Sequence, residues 1–175
     1  MLTLTPEQFT IKLKQHEAEI KNLIDRDLPD IIGREAVAHF KLNFQNESWG
    51  RTKWKGTNTG WTRENVRADH KILTGTGNLG RSIQYSPETG RVIIHSDLDY
   101  SKIHNEGGMI RITDKMRKWA WAMFYTTKSE NYKNLALTKK THIEIPKRQF
   151  IGDDEELNKK IKAKIEERLN KIFSK

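Results

Sequence analysis

The chain contains no cysteine, and this absence excludes several classes of site at once. Disulfide frameworks, thiolate zinc sites and cysteine nucleophiles all require that residue. A G-x-S-x-G nucleophile elbow is missing too. The N-terminus, MLTLTPEQF, lacks the basic flank and apolar core of a signal peptide, and the longest aromatic and aliphatic run is only Trp119 to Tyr125. Neither a signal peptide nor a membrane span is therefore predicted.

The composition is that of a folded, basic protein. Of the 175 residues, 35% are hydrophobic and 31% are charged, while five Trp, four Tyr and six Phe can anchor a lean core. This length fits a single domain. The formal net charge is +9, which favours encounter with nucleic acid or any acidic surface but does not choose between them.

Helices are predicted at both ends of the chain. Thr5-Pro6-Glu7-Gln8 has the form of a capping box, which predicts a helix start, and residues 1–45 form a helical region. Pro29 is expected to interrupt or restart this helix. Near the C-terminus, acidic residues in the first turn and apolar residues at three- and four-residue spacing predict a helix over residues 153–174.

Residues 46–69 lack periodicity and are predicted to be a long basic loop. Indoles alternate there with Lys and Arg, a composition that could stack bases and neutralise phosphates. Alternatively, the indoles fold back onto the core or pack against a neighbouring subunit, since Trp and Arg are enriched in protein interfaces. The predicted partner or oligomer interface comprises Trp49, Arg51, Lys53, Trp54, Lys55, Trp61, Arg63 and Arg67.

Residues 70–152 are predicted to form a sheet region. Two alternating stretches around a turn at 87–90 indicate a β-hairpin, and a short strand is expected at 142–145. A helix capped by Thr113 is predicted over about 113–126, with its aromatic stripe in the core, and a polar connection follows over 128–140. The fold class is therefore α+β: an antiparallel sheet built on a hairpin and packed against N-terminal and C-terminal amphipathic helices.

Two chemical interpretations are tested by these patterns. Gly75, Gly77 and Gly80 match a G-x-G-x-x-G dinucleotide motif, but the predicted turn after them leaves no room for the long helix that the motif requires. The glycines are instead expected to allow a tight turn before the hairpin. A metal site could be assembled from acidic and histidine side chains, although nothing in their spacing fixes convergence: His95, Asp97, Asp99, His104 and Glu106.

Three short blocks, in order, resemble the phage virion morphogenesis family, the Mu-like tail completion proteins. They read LTGTGNLGRSI, YSKIHNEGG and IPKRQFIG, with Ser101, Glu106 and Gln149 departing from the family pattern. The helix after Thr113 lies between the second and third blocks as an elaboration. The motif residues are Gly75, Gly77, Leu79, Ser82, Tyr100, His104, Gly107, Gly108, Pro146, Arg148, Phe150 and Gly152.

The resemblance implies a non-enzymatic structural protein at the head-tail junction or tail end, without cofactor. It further implies a homo-oligomeric ring that contacts tail-tube, neck or connector proteins, with possible non-specific DNA contact. Its location would be the virion, and the host bacterial cytoplasm during assembly. Within the third block, Phe150 is expected to be a buried anchor and Arg148 to pair with a carboxylate or backbone oxygen. A nucleic-acid-binding module and, third, a metal-dependent nuclease are the alternative functions.

Overall fold

A computed structural model describes residues 5–55 and 71–174, apart from the side chain of Phe9. The α-helices in these residues are α1 (Pro6–Asn22), α2 (Leu28–Asn46), α3 (Asn78–Arg81), α4 (Ser101–Glu106), α5 (Asp114–Thr127), α6 (Glu130–Leu137) and α7 (Glu155–Phe173). The strands are β1 (Ser48–Trp49), β2 (Thr52–Lys53), β3 (Ile83–Glu88), β4 (Arg91–Ser96), β5 (Gly108–Arg111) and β6 (His142–Ile145). Within the described ranges, no helix is long and apolar enough to cross a membrane.

The predicted α+β class is confirmed, and the strands form three antiparallel pairs. β3 pairs with β4 from Ile83 opposite Ser96 to Glu88 opposite Arg91, so the predicted hairpin is present. Its turn is shorter than expected, because the strands continue through Pro87 and only Thr89 and Gly90 connect them. The left-handed φ of 69° at Gly90 suits a two-residue connection. β1 pairs with β2, and β5 pairs with β6.

The described residues group into two compact units, and a single-domain organisation stays a prediction. The first unit comprises the described residues of Met1–Leu42, Ile83–Ser96 and Ile151–Lys175. In it, α1 and α7 pack together, with the rings of His16 and Phe173 5.6 Å apart. α7 is also tied to α2, since Lys164 lies 2.8 Å from Glu35. The buried apolar side chains of this unit are Leu23, Ala36, Phe40, Ile83, Leu157 and Ile172.

The α-helix is interrupted just before Pro29 and restarts at Leu28, as predicted, but the interruption does not break the helical backbone. The backbone runs from Pro6 to Asn46 through a π-helical turn, Leu23–Asp27, in which the Leu28 N–H reaches back to the Leu23 carbonyl. Proline lacks a donor and its ring clashes with the carbonyl four residues earlier. A widened turn just before Pro29 relieves both problems, because its hydrogen bonds span five residues instead of four.

The second unit comprises the described residues of Asn43–Ser82 and Asp97–Phe150. One of its cores lies between α5, α6 and the β5–β6 pair, where Ala120 is fully buried beside Leu135 and Ile112. Arg117 of α5 ends α6 by donating to the carbonyls of Ala136 (3.4 Å) and Lys140 (3.1 Å). The bond to Ala136 satisfies a carbonyl group that α6 leaves without an intrahelical partner at its C-terminus.

Several short elements of this unit differ from the sequence predictions. The start of the predicted 46–69 loop contains the β1–β2 pair, which turns at Gly50 with a φ of 55°. α4 and β5 occupy a stretch for which no element was expected, and α6 lies inside the predicted polar connection at 128–140. The aromatic stripe of α5 is only partly in the core, because Trp119 is 51% exposed. Its ring instead stands edge-on to Tyr132, with centroids 5.5 Å apart.

The glycine-rich stretch contains a short helix that the sequence did not predict. Gly77, with a φ of 73°, precedes α3, whose four residues end where β3 is about to begin. Gly80 faces the ring of Phe44, and a Cβ there would lie 3.7 Å from it. Leu79 (4% exposed) and Ile83 (1% exposed) are buried, as expected. A dinucleotide motif needs a long helix after its glycines, and four residues do not supply one.

Candidate functional site

Arg148 is the most deeply buried charged group of the third motif block. Only 3% of it is exposed, and its Nε donates to the Lys55 carbonyl at 3.1 Å, which confirms the expected bond to a backbone oxygen. Its backbone N–H donates to the His104 carbonyl at 2.9 Å. Burial lowers the pKa of this guanidinium. Arg148 thus joins the second and third motif blocks to the end of the β1–β2 segment.

Phe150 anchors the same junction. Its side chain is 1% exposed, as predicted, and its ring lies 5.0 Å from that of Phe44. Both of its backbone polar groups are bonded, because the N–H donates to Asn105 Oδ1 at 2.8 Å and the carbonyl accepts from Asn43 Nδ2 at 3.3 Å. Asn43 is itself 6% exposed. Buried backbone groups without such partners are costly, so these two amides stabilise the irregular chain here.

Trp54 lies in this core instead of on the surface. It is 8% exposed, its ring stands edge-on to Phe44 at 5.5 Å, and its Nε1 donates to the Gln149 carbonyl at 2.9 Å. The partner-interface interpretation of Trp54 is therefore replaced by the alternative, an indole folded onto the core. An indole satisfies both demands of such a place, a large apolar body and one polar N–H.

The second motif block contains two neighbouring rings, His104 and Tyr100. His104 lies in α4, and Tyr100 immediately precedes that helix. The His104 ring is half-buried, and burial first, then the nearby charge of Arg148, lowers its pKa. Its Nδ1 is buried and has no hydrogen-bond partner among the described residues. Tyr100, 44% exposed, stands edge-on to this imidazole with centroids 6.0 Å apart.

Gly107 allows the motif blocks to approach each other. Its φ of 77° is left-handed, and a Cβ there would lie 2.8 Å from the backbone nitrogen of Lys147. This confirms the expectation that the glycine pair marks a special backbone position. Gly108 follows at the start of β5, and Pro146 follows the end of β6. Gly152 lies in the first unit, and Ser82 donates to the Leu79 carbonyl at 2.8 Å.

The charged members of the predicted interface are on the surface where they are described. Arg51, Lys53 and Lys55 are exposed, and Trp49 is half-buried. Lys53 Nζ donates to the Asn46 carbonyl at 2.6 Å. Three further members lie outside the described residues: Trp61, Arg63 and Arg67.

One residue that sequence reasoning missed, Glu47, holds both sides of this segment. Its carbonyl accepts the Trp54 N–H at 2.7 Å, and its carboxylate accepts the N–H of Ile72. Lys71 adds a bond to the Gln45 carbonyl at 2.6 Å. Glu47 has a left-handed φ of 51°. The sequence gives little indication of this conformation at residues other than Gly, Asn or Asp. Trp54 before residues 56–70, and Lys71 and Ile72 after them, are thus all bonded to the end of α2 or to the residue that follows it.

The residues proposed for a metal site have other surroundings in the described structure. His95 lies on β4, with its Nε2 3.0 Å from Ser86 Oγ, and His104 lies in α4. In residues 5–55 and 71–174, no three His, Asp or Glu side chains are placed to hold a metal ion. Two motif side chains, Arg148 and Asn105, instead bond backbone groups of distant segments.

Comparison with known proteins agrees with the motif blocks. A sequence profile of the phage virion morphogenesis family matches residues 14–170, which is most of the chain. Comparisons with curated proteins and with solved structures gave no match. The profile covers all three motif blocks, the junction that the second and third form around Arg148 and Phe150, and the segment after α2. The chain therefore belongs to the phage virion morphogenesis family, whose members have structural roles in building the phage particle.

Proposed function

We propose that this protein is a non-enzymatic subunit that completes the phage tail and joins it to the head, and that it does so as a ring of identical copies. The observation that carries the proposal is a set of side-chain bonds to the backbone of other segments, made by Arg148 Nε and Asn105 Oδ1 of the motif blocks and by Trp54 Nε1. Such bonds build a rigid support. Membership of a virion morphogenesis family supports the same role.

The rigid support formed by these bonds holds the basic segment that follows α2, which we assign to partner contact. Arg148 holds Lys55 at one side, and Glu47 holds Trp54 and Ile72. The part of this segment that ends at Trp54 and Lys55 is held in place, so it loses less conformational entropy when it binds, and its contacts contribute more to affinity. We assign its exposed cations to a neighbouring copy or to tail-tube, neck or connector proteins. The protein would act in the virion, after assembly in the bacterial cytoplasm.

Removing the gene from the phage or prophage that carries it tests this function. We expect DNA-filled heads and separate tails by negative-stain electron microscopy, with infectivity restored by the wild-type gene. Empty heads would place the protein in packaging instead, and normal joined particles would show that it has no role at the junction. Native mass spectrometry of the protein with purified tails would then test for a ring, because a subunit can remain monomeric until it docks.

Complementation with charge variants tests the assigned surface. Arg51→Glu/Lys55→Glu reverses two exposed cations of the segment, and Lys12→Glu/Lys14→Glu on α1 makes the same change in charge at two other exposed positions. We expect the first pair to lower the yield of joined particles by about tenfold or more, since like charges that face each other across an interface disfavour binding. The control pair should complement fully. Equal behaviour of the two pairs would refute the assignment to this segment.

A further inference from the structure

The outward face of α5 concentrates positive charge and exposed aromatic rings. Lys115 and Lys118 are exposed on it, together with Trp119 (51% exposed) and Tyr125 (66% exposed). Their spacing of three, four and seven residues places them on one side of the helix, opposite the fully buried Ala120. Lys128, at the helix end, lies 5.9 Å from the centre of the Tyr125 ring. We call these five residues the α5 face.

Charge in this part of the chain is strongly one-sided. Residues 111–140 contain eight Lys or Arg and two Asp or Glu, whereas the whole chain has a net charge of +9. One of the two acids, Glu130, pairs with Lys133 at 3.2 Å. The other, Asp114, lies in the first turn of α5, where it complements the helix dipole. Arg117 donates its hydrogen bonds to carbonyl groups at and after the end of α6. The exposed cations of the α5 face are therefore its lysines.

We propose that the α5 face binds nucleic acid without sequence preference, with its lysines on phosphates and Trp119 against unpaired bases. Two observations favour nucleic acid over a protein partner. Protein interface cores are rich in Trp and Tyr but depleted of Lys, whereas surfaces that track a phosphate backbone combine Lys with stacking rings. From Lys115 to Tyr125 the helix rises about 15 Å, which matches about four phosphates along one strand.

This inference stands on α5 alone and does not depend on ring formation or on the basic segment after α2. A positive face of this kind would suit contact with packaged DNA as it leaves or enters the particle. The lysines serve duplex and single strand alike, because both present phosphates. Trp119 distinguishes them, since only unpaired bases offer an open ring face for stacking.

The test measures binding of the full-length protein to a fluorescein-labelled random-sequence 30-mer, as single strand and as duplex, by fluorescence anisotropy over a range of salt concentrations. Lys115→Glu/Lys118→Glu should weaken binding about tenfold or more at low salt. It should also reduce the slope of log K against log salt by about 1.4 on single strands and about 1.8 on duplex, as expected for two lost phosphate contacts. Trp119→Ala should weaken single-strand binding about fivefold or more and leave duplex binding almost unchanged.

A matched control separates this face from the general charge of the protein. Lys159→Glu/Lys162→Glu has the same three-residue spacing, the same change in charge and exposed positions, but lies on α7. Binding lost equally in both pairs would overturn the proposal, as would no binding of either DNA by the wild type at low salt. So would loss in Arg51→Glu/Lys55→Glu alone. Equal or tighter binding of a labelled polyglutamate peptide of matched charge would assign the face to an acidic protein instead.

Folding of the variants is checked by circular dichroism, because Trp119 contacts Tyr132. If Trp119→Ala does not fold, Tyr125→Ala replaces it, since Tyr125 is the more exposed ring of the face. Single-strand binding that is unaffected by whichever folded variant is measured would overturn the stacking role.

Discussion

Gly33 and Tyr85 give a prediction whose sign depends on a single side chain. Gly33 is buried within α2, and a Cβ there would lie only 2.1 Å from Tyr85 Cδ2 and 2.5 Å from Cγ. The ring cannot move aside freely, because the Tyr85 hydroxyl donates to Asp30 Oδ1 at 2.6 Å. Asp30 is itself paired with Arg34 at 2.8 Å. The hydrogen bond to Asp30 also raises the pKa of Tyr85.

Two opposing effects of Gly33→Ala can be compared. Alanine is favoured over glycine inside a helix by about 0.8–1.0 kcal/mol. Against this, carbon atoms normally approach to about 3.5–4.0 Å, so the ring must shift by more than an ångström. Overpacking of this kind costs about 1–3 kcal/mol, and the shift of the ring also disturbs its hydrogen bond to Asp30. We therefore expect Gly33→Ala to reduce the free energy of unfolding by about 1–2 kcal/mol.

Removing the ring should reverse the effect. In a Tyr85→Ala background, Gly33→Ala should increase the free energy of unfolding by up to about 1 kcal/mol, because only the helix propensity remains. Urea unfolding followed by circular dichroism measures all four proteins. Gly80→Ala is the control, since its Cβ would meet Phe44 at an ordinary 3.7 Å inside another helix. Stabilisation by Gly33→Ala with Tyr85 present, or the same change in both backgrounds, would refute the packing argument.

Three further predictions concern the junction of the motif blocks. Asn105→Ala leaves the Phe150 N–H without its 2.8 Å partner, and should lower the urea midpoint by an amount equivalent to about 1–3 kcal/mol. Asn158→Ala, on the exposed side of α7, should change stability by less than about 0.5 kcal/mol, and an equal loss in both would contradict the assignment. Gly107→Ala should reduce the free energy of unfolding by about 2–4 kcal/mol, because the φ of this residue is 77° and a Cβ would meet the Lys147 backbone. A thermal melt unchanged from wild type would be inconsistent with this geometry. Burial lowers the pKa of His104 in the folded state, so the unfolded chain binds more protons at this residue as the pH falls. The contribution of His104 to stability is therefore complete above its unfolded pKa of about 6.5, and it is lost as the pH falls below that value. Unfolding titrations from pH 8 to 5 should therefore show a stability slope that is steeper in the wild type than in His104→Gln, by at most about 1.4 kcal/mol per pH unit, and identical slopes would exclude this role.

Elements with strong local signals were predictable from the sequence. Thr5 caps α1 through the expected capping box, Thr113 caps α5 by accepting the Met116 N–H, and Asp154 caps α7 by accepting that of Leu157. In each case the cap lies within three residues of its partner. Such interactions depend on sequence that is close at hand, so the helix starts could be placed without knowledge of the fold.

Elements that depend on distant partners were missed. β5 exists because β6 pairs with it, and Gly108 lies opposite Ile145 across a separation that includes two helices. α6 begins with the polar run Glu130 to Asn134. Its buried side chains, Leu135 and Ala136, can be recognised as core residues only from their packing against α5. Short elements carry too little periodicity to be recognised on their own.

The candidate site shows the same division. The burial of Phe150 and a backbone oxygen as the Arg148 partner were predicted, because a large aromatic and a guanidinium in a constrained turn have few alternatives. The identity of that oxygen, on Lys55, required the fold. Trp54 gave no signal to distinguish it from the neighbouring indoles, and only its contacts with Phe44 and Gln149 place it in the core.

Electron cryomicroscopy of the assembled virion tests the proposed function. We expect a ring of identical copies of this chain between the head and the tail tube, with the support around Arg148 and Phe150 intact in every copy. We also expect Arg51 and Lys55 to face a neighbouring copy or the tail tube. Location of the chain in the capsid shell, or its absence from purified infectious particles, would contradict the proposed function.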